Sequence, residues 1–339
     1  VTNPGQVNNA SDSRALFLKL FAGEVLKAHR VENMALKLTR KRSIKNGKSA
    51  SFPLLGRGVA KYHTPGQLIE ADKVLSIDRV VTIDDVAISA VFIADIEEAM
   101  NHWDVRGPYA QECGSQLGEI VDRNIFRMIA KAALIENGTH MTAAGLTAIT
   151  GQEYNTSSTL EFASTADETN GQKIYEMIIA ARTQFRKLNI KEKPVCVLPP
   201  DQYAALVTLS STTSAPWMNR DVGGVGSASQ GTIPVIGGIP VYESNNLPQL
   251  DESAGLVSDP EPLANTPGSG NTAKYRADFS INRGLIFTPS AVATVELLGL
   301  RMKWIDEPLR IGSTVLASQA VGHSILRPEC AVMLQKYVL

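Results

Sequence analysis

The sequence predicts an α+β fold with interleaved helices and antiparallel strands, and three stretches carry that prediction. Residues 74–93 are rich in valine and isoleucine, which indicates a long strand or a pair of strands. Apolar residues recur every three or four positions over about 108–136, which predicts a helix on the order of 40 Å long. Strand-like alternation returns over 285–338, and no regular strand–helix alternation of a parallel sheet is present.

At the N-terminus, a polar stretch over residues 1–13 precedes an amphipathic pattern at about 14–30, which predicts a flexible arm followed by a helix. The stretch lacks the cationic and apolar parts of a signal peptide. No apolar run approaches the ~20 residues that cross a bilayer, so no membrane partner is expected.

The next segment, residues 33–69, contains no acidic residue. Its basic residues are Lys37, Arg40, Lys41, Arg42, Lys45, Lys48, Arg57 and Lys61. Glycine and proline interrupt it repeatedly and exclude a continuous helix. A loop this long without its own core is uncommon unless it is functional or packs on another body. The pattern therefore predicts a long, basic, extended β-hairpin.

Charge balance suggests what this hairpin contacts. The whole chain has a net charge of −1. Because the segment 33–69 carries a charge of +8, the rest of the chain carries a net charge of −9. A solvated loop, a DNA contact and docking on an acidic patch of a second copy are all compatible with the segment. The compensating charge favours docking between copies, since complementary charges steer and register subunits. Candidate patches are Asp95, Glu97 and Glu98, or Asp251, Glu252, Asp259 and Glu261.

We therefore predict an inter-subunit contact through Arg40, Lys41, Arg42, Lys45, Lys48, Arg57 and Lys61. Reversing Arg40, Lys41 and Arg42 to glutamate is expected to block assembly while leaving a folded monomer. Because the net charge is nearly zero, strong global attraction to nucleic acid is not expected.

The other elements follow from local patterns. The predictions are a short acidic helix over 94–102, irregular chain over 139–168, a helix over 170–188, a buried strand over 194–198, a short helix from Asp201, a surface loop over 210–231, a hairpin turning at Gly237-Gly238, an exposed insertion over 249–273, and a short helix near 290–296 within the final strands.

Motifs for chemistry are weak, so no catalytic, cofactor-binding or metal-binding residue is predicted. Gly47-Lys48-Ser49 matches only the end of a phosphate-binding loop, because the required earlier glycine is replaced by Arg42. The glycines at 223–226 lack the spacing of a dinucleotide site. Glu98 and His102 stand four residues apart without a second ligand pair, and the three cysteines form no paired framework.

Several segments resemble the major capsid proteins of short-tailed double-stranded DNA phages related to the coliphage podoviruses. They are LFLKLFAGEVL (16–26), RSIKNGKSASFPLLGR (42–57), KVLSIDRVVTID (73–84), DIEEAMNHWDVR (95–106) and GHSILRPECAVML (322–334). VIGGIPVYESNNLP (235–248) is similar to a hairpin found in many phage capsid proteins. The resemblance spans nearly the whole chain but is weak over 139–168 and 249–276.

The resemblance implies a tailed-phage major capsid fold with four parts. They are an N-terminal arm with a helix (1–42), an extended loop that reaches over the adjacent subunit (43–75), a peripheral domain (76–190 and 297–339) around a spine helix at about 108–136, and an axial domain (191–296) that points at the five- and six-fold centres.

The resemblance also implies a structural role and not an enzymatic one. Hexamers and pentamers would build an icosahedral shell around packaged double-stranded DNA, held without sequence specificity. A scaffolding protein and a portal would be partners during assembly in the host bacterial cytoplasm, and the product would be the virion capsid. Some members of the wider fold cross-link lysine to asparagine, but no cross-link is expected through Lys48 or Lys61.

Two alternatives stay open from the sequence. One is the shell protein of a bacterial encapsulated nanocompartment, which uses the same fold around enzyme cargo. The other is a nucleotide-dependent enzyme acting through Lys48.

Overall fold

The computed structural model of the chain describes residues 34–55, 60–69, 76–96, 106–135, 159–207, 235–254 and 274–338. The helices are α1 (Ala35–Leu38), α2 (Arg106–Leu134), α3 (Gly171–Lys187) and α4 (Pro200–Val207). The strands are β1 (Arg40–Ser43), β2 (Ser49–Leu55), β3 (Ser76–Thr82), β4 (Ala87–Ala94), β5 (Thr159–Glu161), β6 (Val195–Leu198), β7 (Val235–Ile236), β8 (Ile239–Glu243), β9 (Asn282–Phe287), β10 (Val292–Glu307), β11 (Gly312–Ile325) and β12 (Ala331–Gln335). Short 3₁₀ helices cover Thr165–Thr169 and Pro328–Cys330. The α+β class is confirmed.

Contacts divide the chain into two compact units. Among the described residues, the smaller unit comprises those within 86–119 and 298–319, and the larger comprises those within 34–85, 120–297 and 320–338.

The core of the larger unit is a six-stranded sheet in the order β5-β12-β9-β6-β8-β7, with helices covering both faces. The side chains of β6 alternate between the two faces of this sheet. Val195 and Val197 pack in the hydrophobic cluster around α2, whereas Cys196 and Leu198 pack in the cluster around α3. Successive side chains of a strand point to opposite faces, so a strand buried on both faces is apolar throughout. This explains why the prediction of a buried strand over 194–198 is confirmed.

The long helix α2 is confirmed, with bounds two residues earlier than predicted at each end. Its 29 residues correspond to roughly 43 Å at ~1.5 Å per residue. In the larger unit its buried residues recur at helical spacing, with Val121, Ile125 and Ile129 facing the sheet.

Helix α3 follows its sequence signals closely. Asn170 caps its N-terminus, since the Asn170 side-chain oxygen accepts a hydrogen bond of 3.0 Å from the Gln172 backbone N–H. Its face of Ile174, Ile178 and Phe185 is buried against the sheet. The helix predicted over 170–188 is confirmed.

The predicted hairpin at Gly237-Gly238 is also confirmed, by β7 and β8. Gly237 and Gly238 have φ angles of 55° and 85°, the left-handed region that a tight hairpin turn requires. A Cβ atom at Gly237 would lie 2.6 Å from Cδ1 of Ile179, so both conformation and space favour glycine.

In the smaller unit, β4 pairs antiparallel with β11 over Ala87–Ala94. Leu117 of α2 packs with Ala317 of β11, and Ala87 and Val91 of β4 lie against them. The four-stranded sheet to which these strands belong has the order β1-β10-β11-β4.

Residues 74–93 form two strands, but these strands do not pair with each other. β3 pairs with β2 in a two-stranded hairpin, and β4 pairs with β11. A hairpin is therefore present in the larger unit, but its second strand lies outside the segments predicted for it, 33–69 and 43–75.

Two predictions of local structure are wrong. The helix near 290–296 is instead the start of β10, which pairs with β1 over Ala293–Glu296 and is buried on both faces over 292–295. Residues 139–168 are not irregular throughout, because Thr159–Glu161 adds a strand to β12 and a 3₁₀ helix follows. In both places non-local pairing and burial override local propensity.

Other predictions lie outside the described residues. They are the arm and helix over 1–30, the acidic helix beyond Ile96, the surface loop over 210–231 and the insertion beyond 254.

Candidate assembly surface

The β2–β3 hairpin is the extended element that the sequence predicts as an inter-subunit loop. Its register runs from Ser49 opposite Thr82 to Leu55 opposite Ser76. Near its base, Ala50 and Val81 are buried opposite each other, whereas Val80 on the other face is exposed. A two-stranded hairpin alone is marginally stable in water. Burial along its length by another body would therefore stabilise it.

Residues 60–69, between the two hairpin strands, expose large apolar side chains. Tyr62, Leu68 and Ile69 are almost fully exposed, with 88% of the surface of Leu68 accessible. Burying such a side chain is worth ~1.5–3 kcal/mol. This cluster is therefore a source of binding energy for a partner surface.

The base of the hairpin is held by the larger unit's own buried groups. Ile83 N–H donates to the Lys48 carbonyl over 2.9 Å, and Asp84 N–H donates to the Val321 carbonyl over 3.1 Å. The Asp84 carboxylate contacts the Tyr275 hydroxyl and the Lys274 ammonium. Burial raises the pKa of Asp84, and the Lys274 charge partly offsets that rise.

At Gly322, strand β11 packs closely against the backbone of Thr82 and Ile83. A Cβ atom there would lie 2.1 Å from the Thr82 carbonyl oxygen and 2.7 Å from Cα of Ile83. These are backbone atoms, so they cannot move aside as a side chain could. Glycine at 322 lets β11 approach the end of β3 directly.

Three of the predicted contact residues interact within their own chain. Arg40 Nη2 lies 2.8 Å from Glu192 Oε1, and Lys41 Nζ lies 2.5 Å from Glu296 Oε2. Arg42 donates to the Ser51 carbonyl over 2.9 Å. Nothing in the sequence indicated that β1 pairs in parallel with β10, and this pairing is what places Glu296 beside β1.

Three of the remaining predicted contact residues, Lys45, Lys48 and Lys61, are among the described residues. Lys45 and Lys48 are exposed in the turn between β1 and β2, and Lys61 is exposed in the 60–69 segment. Gly47 has a φ angle of 109°, so this turn depends on glycine. Arg57 lies outside the described residues. Lys45 and Lys48 therefore present positive charge on the turn that leads into the hairpin.

Of one candidate acidic patch, Glu252 is buried and Asp251 is exposed, while Asp259 and Glu261 lie outside the described residues. Glu252 is buried and forms a two-pronged ion pair with Arg127 of α2, at 2.7 Å and 3.0 Å, with both side chains only 1% exposed. Glu252 is thus a core residue and not part of an exposed acidic face. Of the other candidate patch the structure describes Asp95, which is exposed.

Within the described ranges, no group of three or more histidine, cysteine or acidic residues is arranged to hold a metal ion. Lys48 enters strand β2, whereas a phosphate-binding loop would lead into a helix. None of the helices among the described residues is long and apolar enough to cross a membrane.

Three buried titratable residues, His323, Cys196 and Cys330, pack in the protein core. His323 is buried against Thr294, with 2.9 Å between His323 Nδ1 and Thr294 Oγ1. Burial, assisted by the Lys274 charge, lowers the pKa of His323 to about 3. Burial raises the pKa of Cys196 and Cys330, which keeps both thiols protonated and unreactive.

Comparisons with known proteins show which proteins the chain is similar to. The family model described as "Gp10A-like: Major capsid protein" matches residues 51–335. The major capsid protein of Escherichia phage T7 is 31% identical over 97% of this chain and 94% of its own. The capsid structure of cyanophage P-SCSP1u matches with a TM-score of 0.71 and 31% identity, covering 100% of this chain and 97% of that one. The mature capsid of bacteriophage PhiM1 has a TM-score of 0.67 at 16% identity, covering 94% and 91% of the two chains, and supports the fold alone.

Proposed function

Because the chain belongs to the Gp10A-like major capsid protein family, we propose that its hexamers and pentamers build an icosahedral phage shell. The observation that carries this function is the family match over residues 51–335. The chain is a structural virion protein that assembles with copies of itself. The exposed apolar side chains at 60–69 support assembly, since exposed apolar surface marks sites of interaction with other proteins.

The proposed division of labour is that of a tailed-phage capsid subunit. Residues 1–42 act as the arm, 43–75 as the loop over the adjacent subunit, 76–190 and 297–339 as the peripheral domain, and 191–296 as the axial domain. The β2–β3 hairpin supports the loop, although its second strand, Ser76–Thr82, lies beyond residue 75.

Proposed partners beyond the chain itself are a scaffolding protein, a portal and packaged double-stranded DNA. DNA is held without sequence specificity, and the near-neutral net charge of −1 suits release of the packaged genome. Assembly takes place in the host bacterial cytoplasm. We propose no catalytic activity, no cofactor and no covalent cross-link, so the shell's strength comes from many non-covalent contacts.

The nanocompartment alternative is not favoured, because the family and the T7 relative are phage capsid proteins. The enzyme alternative through Lys48 is not supported by its place at the start of a strand. An ATP-binding assay on the unmodified chain and Lys48→Ala would support that alternative only if saturable binding disappeared in the variant.

The decisive experiment is electron microscopy of the expressed chain, alone and with its phage's scaffolding protein. Closed icosahedral particles with hexameric and pentameric units are expected. A chain that stays monomeric under both conditions would contradict the proposal. Particles purified from infected cells should contain nuclease-protected DNA, whereas an enzyme cargo would restore the nanocompartment alternative.

A further inference from the structure

Strand β4 of the smaller unit is apolar on both faces, but only one face is covered. On the covered face, Ala87 and Val91 lie against helix α2. On the other face, Ile88, Ala90 and Phe92 are exposed, with 64% of the surface of Ile88 accessible. Alternate residues of a strand point to the same face, so these three side chains form one continuous row, the β4 stripe.

Strand β11 continues this apolar surface. Half-buried Leu316 of β11 lies directly opposite Ala90, and side chains of directly opposed residues share a face of the sheet. A Cβ atom at Gly312 would lie 2.5 Å from Cζ of Phe92, so the aromatic ring lies across β11. The open face of this strand pair is therefore apolar, which is typical of a sheet face that another element covers.

The charge around β4 is acidic. Residues 80–105 contain six acidic residues and no lysine or arginine. Asp84 is paired with Lys274 within the chain, whereas Asp85 and Asp95 are exposed beside the two ends of β4. Strand β11 has no aspartate, glutamate, lysine or arginine. A partner that suits this surface is therefore both apolar and basic.

Residues 60–69 of the larger unit have this chemistry. Tyr62, Leu68 and Ile69 are exposed there, and the surrounding segment 33–69 has eight basic residues and no acidic one. A single chain leaves both these side chains and the β4 stripe in contact with water. Contact between two copies would remove apolar surface from water on both sides at once.

We propose that the β4 stripe of one copy binds residues 60–69 of a second copy. The inference rests on the proposed shell function, because it names the surface that the loop over the adjacent subunit contacts. Apolar burial supplies the binding energy. The acidic residues beside β4 attract the basic segment and fix the register of the two copies.

Disulfide trapping in assembled shells tests this contact directly. Shells would be assembled from an equal mixture of two variants, Leu68→Cys and Ile88→Cys, and then oxidised mildly. Each variant carries only one of the two new thiols, so a disulfide between positions 68 and 88 necessarily joins two copies. Mass spectrometry is expected to find this linked pair of peptides. In the matched control, Leu250→Cys replaces Ile88→Cys, because Leu250 is a similarly exposed residue outside β4, and no link to position 68 is expected.

The thiol at position 88 also reports other occupants of the β4 stripe. Links between two position-88 thiols would assign the surface to strand β4 of a second copy. Protection from a maleimide that ends when the scaffolding protein leaves would assign it to that protein. A thiol that stays reactive in finished shells would show that nothing covers the stripe. Each of these three results would overturn the proposal.

A substitution on the β4 stripe provides an independent measurement. Ile88→Thr keeps a β-branched side chain that suits a strand but removes apolar surface. The protein concentration required for assembly should rise about tenfold, because less apolar surface is buried at the contact. The free energy of unfolding of the unassembled chain should not change, since Ile88 is exposed in the single chain.

Leu250→Thr is the matched control, and it should change neither quantity. Equal assembly of Ile88→Thr and Leu250→Thr would contradict the proposed contact. Failure of the unmodified chain to form shells would instead contradict the proposed function.

Discussion

At the scale of single residues, the ion pair between Arg127 and Glu252 is fully buried in the described core, so loss of either partner is expected to be costly to stability. Glu252→Gln leaves the Arg127 guanidinium charged and buried with a neutral partner. Removing one partner of a buried pair typically costs ~3–5 kcal/mol, because the remaining charge is uncompensated. The free energy of unfolding of the unassembled chain should fall by about that amount in denaturant titrations.

A surface pair provides the control for this substitution. Lys173 and Glu176 form an ion pair of 3.0 Å on the exposed face of α3. Glu176→Gln should leave the free energy of unfolding unchanged, since exposed pairs contribute little. Equal losses in Glu176→Gln and Glu252→Gln would show that burial is not what makes the Arg127 pair important.

Asp122 makes a second residue-scale prediction, which concerns pH. Its Oδ2 accepts a 2.8 Å hydrogen bond from the Met34 N–H, beside short helix α1. Burial raises the pKa of Asp122 from 3.8 to about 6, although backbone hydrogen bonds from Met34 and its neighbours oppose the rise. The folded chain therefore binds this proton more tightly than the unfolded chain, and stability contributed by it is lost as the pH rises from about 4 to about 6.

Asp122→Asn should remove that pH dependence. The difference in free energy of unfolding between the unmodified chain and Asp122→Asn should change by up to roughly 3 kcal/mol between pH 4 and pH 7, in favour of the variant at the higher pH. Denaturant titrations of the unassembled chain across this range measure it. A difference that stays constant with pH would show that Asp122 titrates normally.

At the scale of secondary-structure elements, Gly322 controls how β11 meets the hairpin base. Gly322→Ala places a methyl group against the backbone of Thr82 and Ile83, and overpacking of this kind typically costs ~1–3 kcal/mol. Gly118 in helix α2 has open space at its Cβ position, so Gly118→Ala should preserve or raise stability. Thermal unfolding of both variants tests the contrast, which disappears if β11 can shift without cost.

The sequence was a good guide to elements whose signals are local. Helix α3 and the β7–β8 turn were predictable because Asn170 and Gly237 act within a few residues of themselves. The start of β10 was not, because its alanine and valine residues become a strand only through pairing with β1, some 250 residues earlier in the chain. The same non-local pairing hid the roles of Arg40 and Lys41.

At the scale of the whole molecule, the basic residues before the hairpin divide into those paired within the chain and those exposed in a turn. Lys41 is paired with Glu296 inside the chain, whereas Lys45 and Lys48 are exposed in the following turn. The triple reversal of Arg40, Lys41 and Arg42 would therefore weaken the fold as well as any docking. A double reversal, Lys45→Glu with Lys48→Glu, changes the charge presented to other copies and leaves the internal pairs intact.

We expect this double variant to unfold at the same denaturant concentration as the unmodified chain but to assemble poorly at low salt. Raising the ionic strength should partly restore assembly, because the Debye length falls from ~10 Å at 0.1 M to ~3 Å at 1 M and screens the new repulsion. Lys41→Glu should show the reverse pattern, with reduced stability that salt does not restore to the unmodified value. If the double variant forms shells normally at low salt, the turn at 44–48 carries no docking charge, and complementary attraction between copies must come from elsewhere on the subunit.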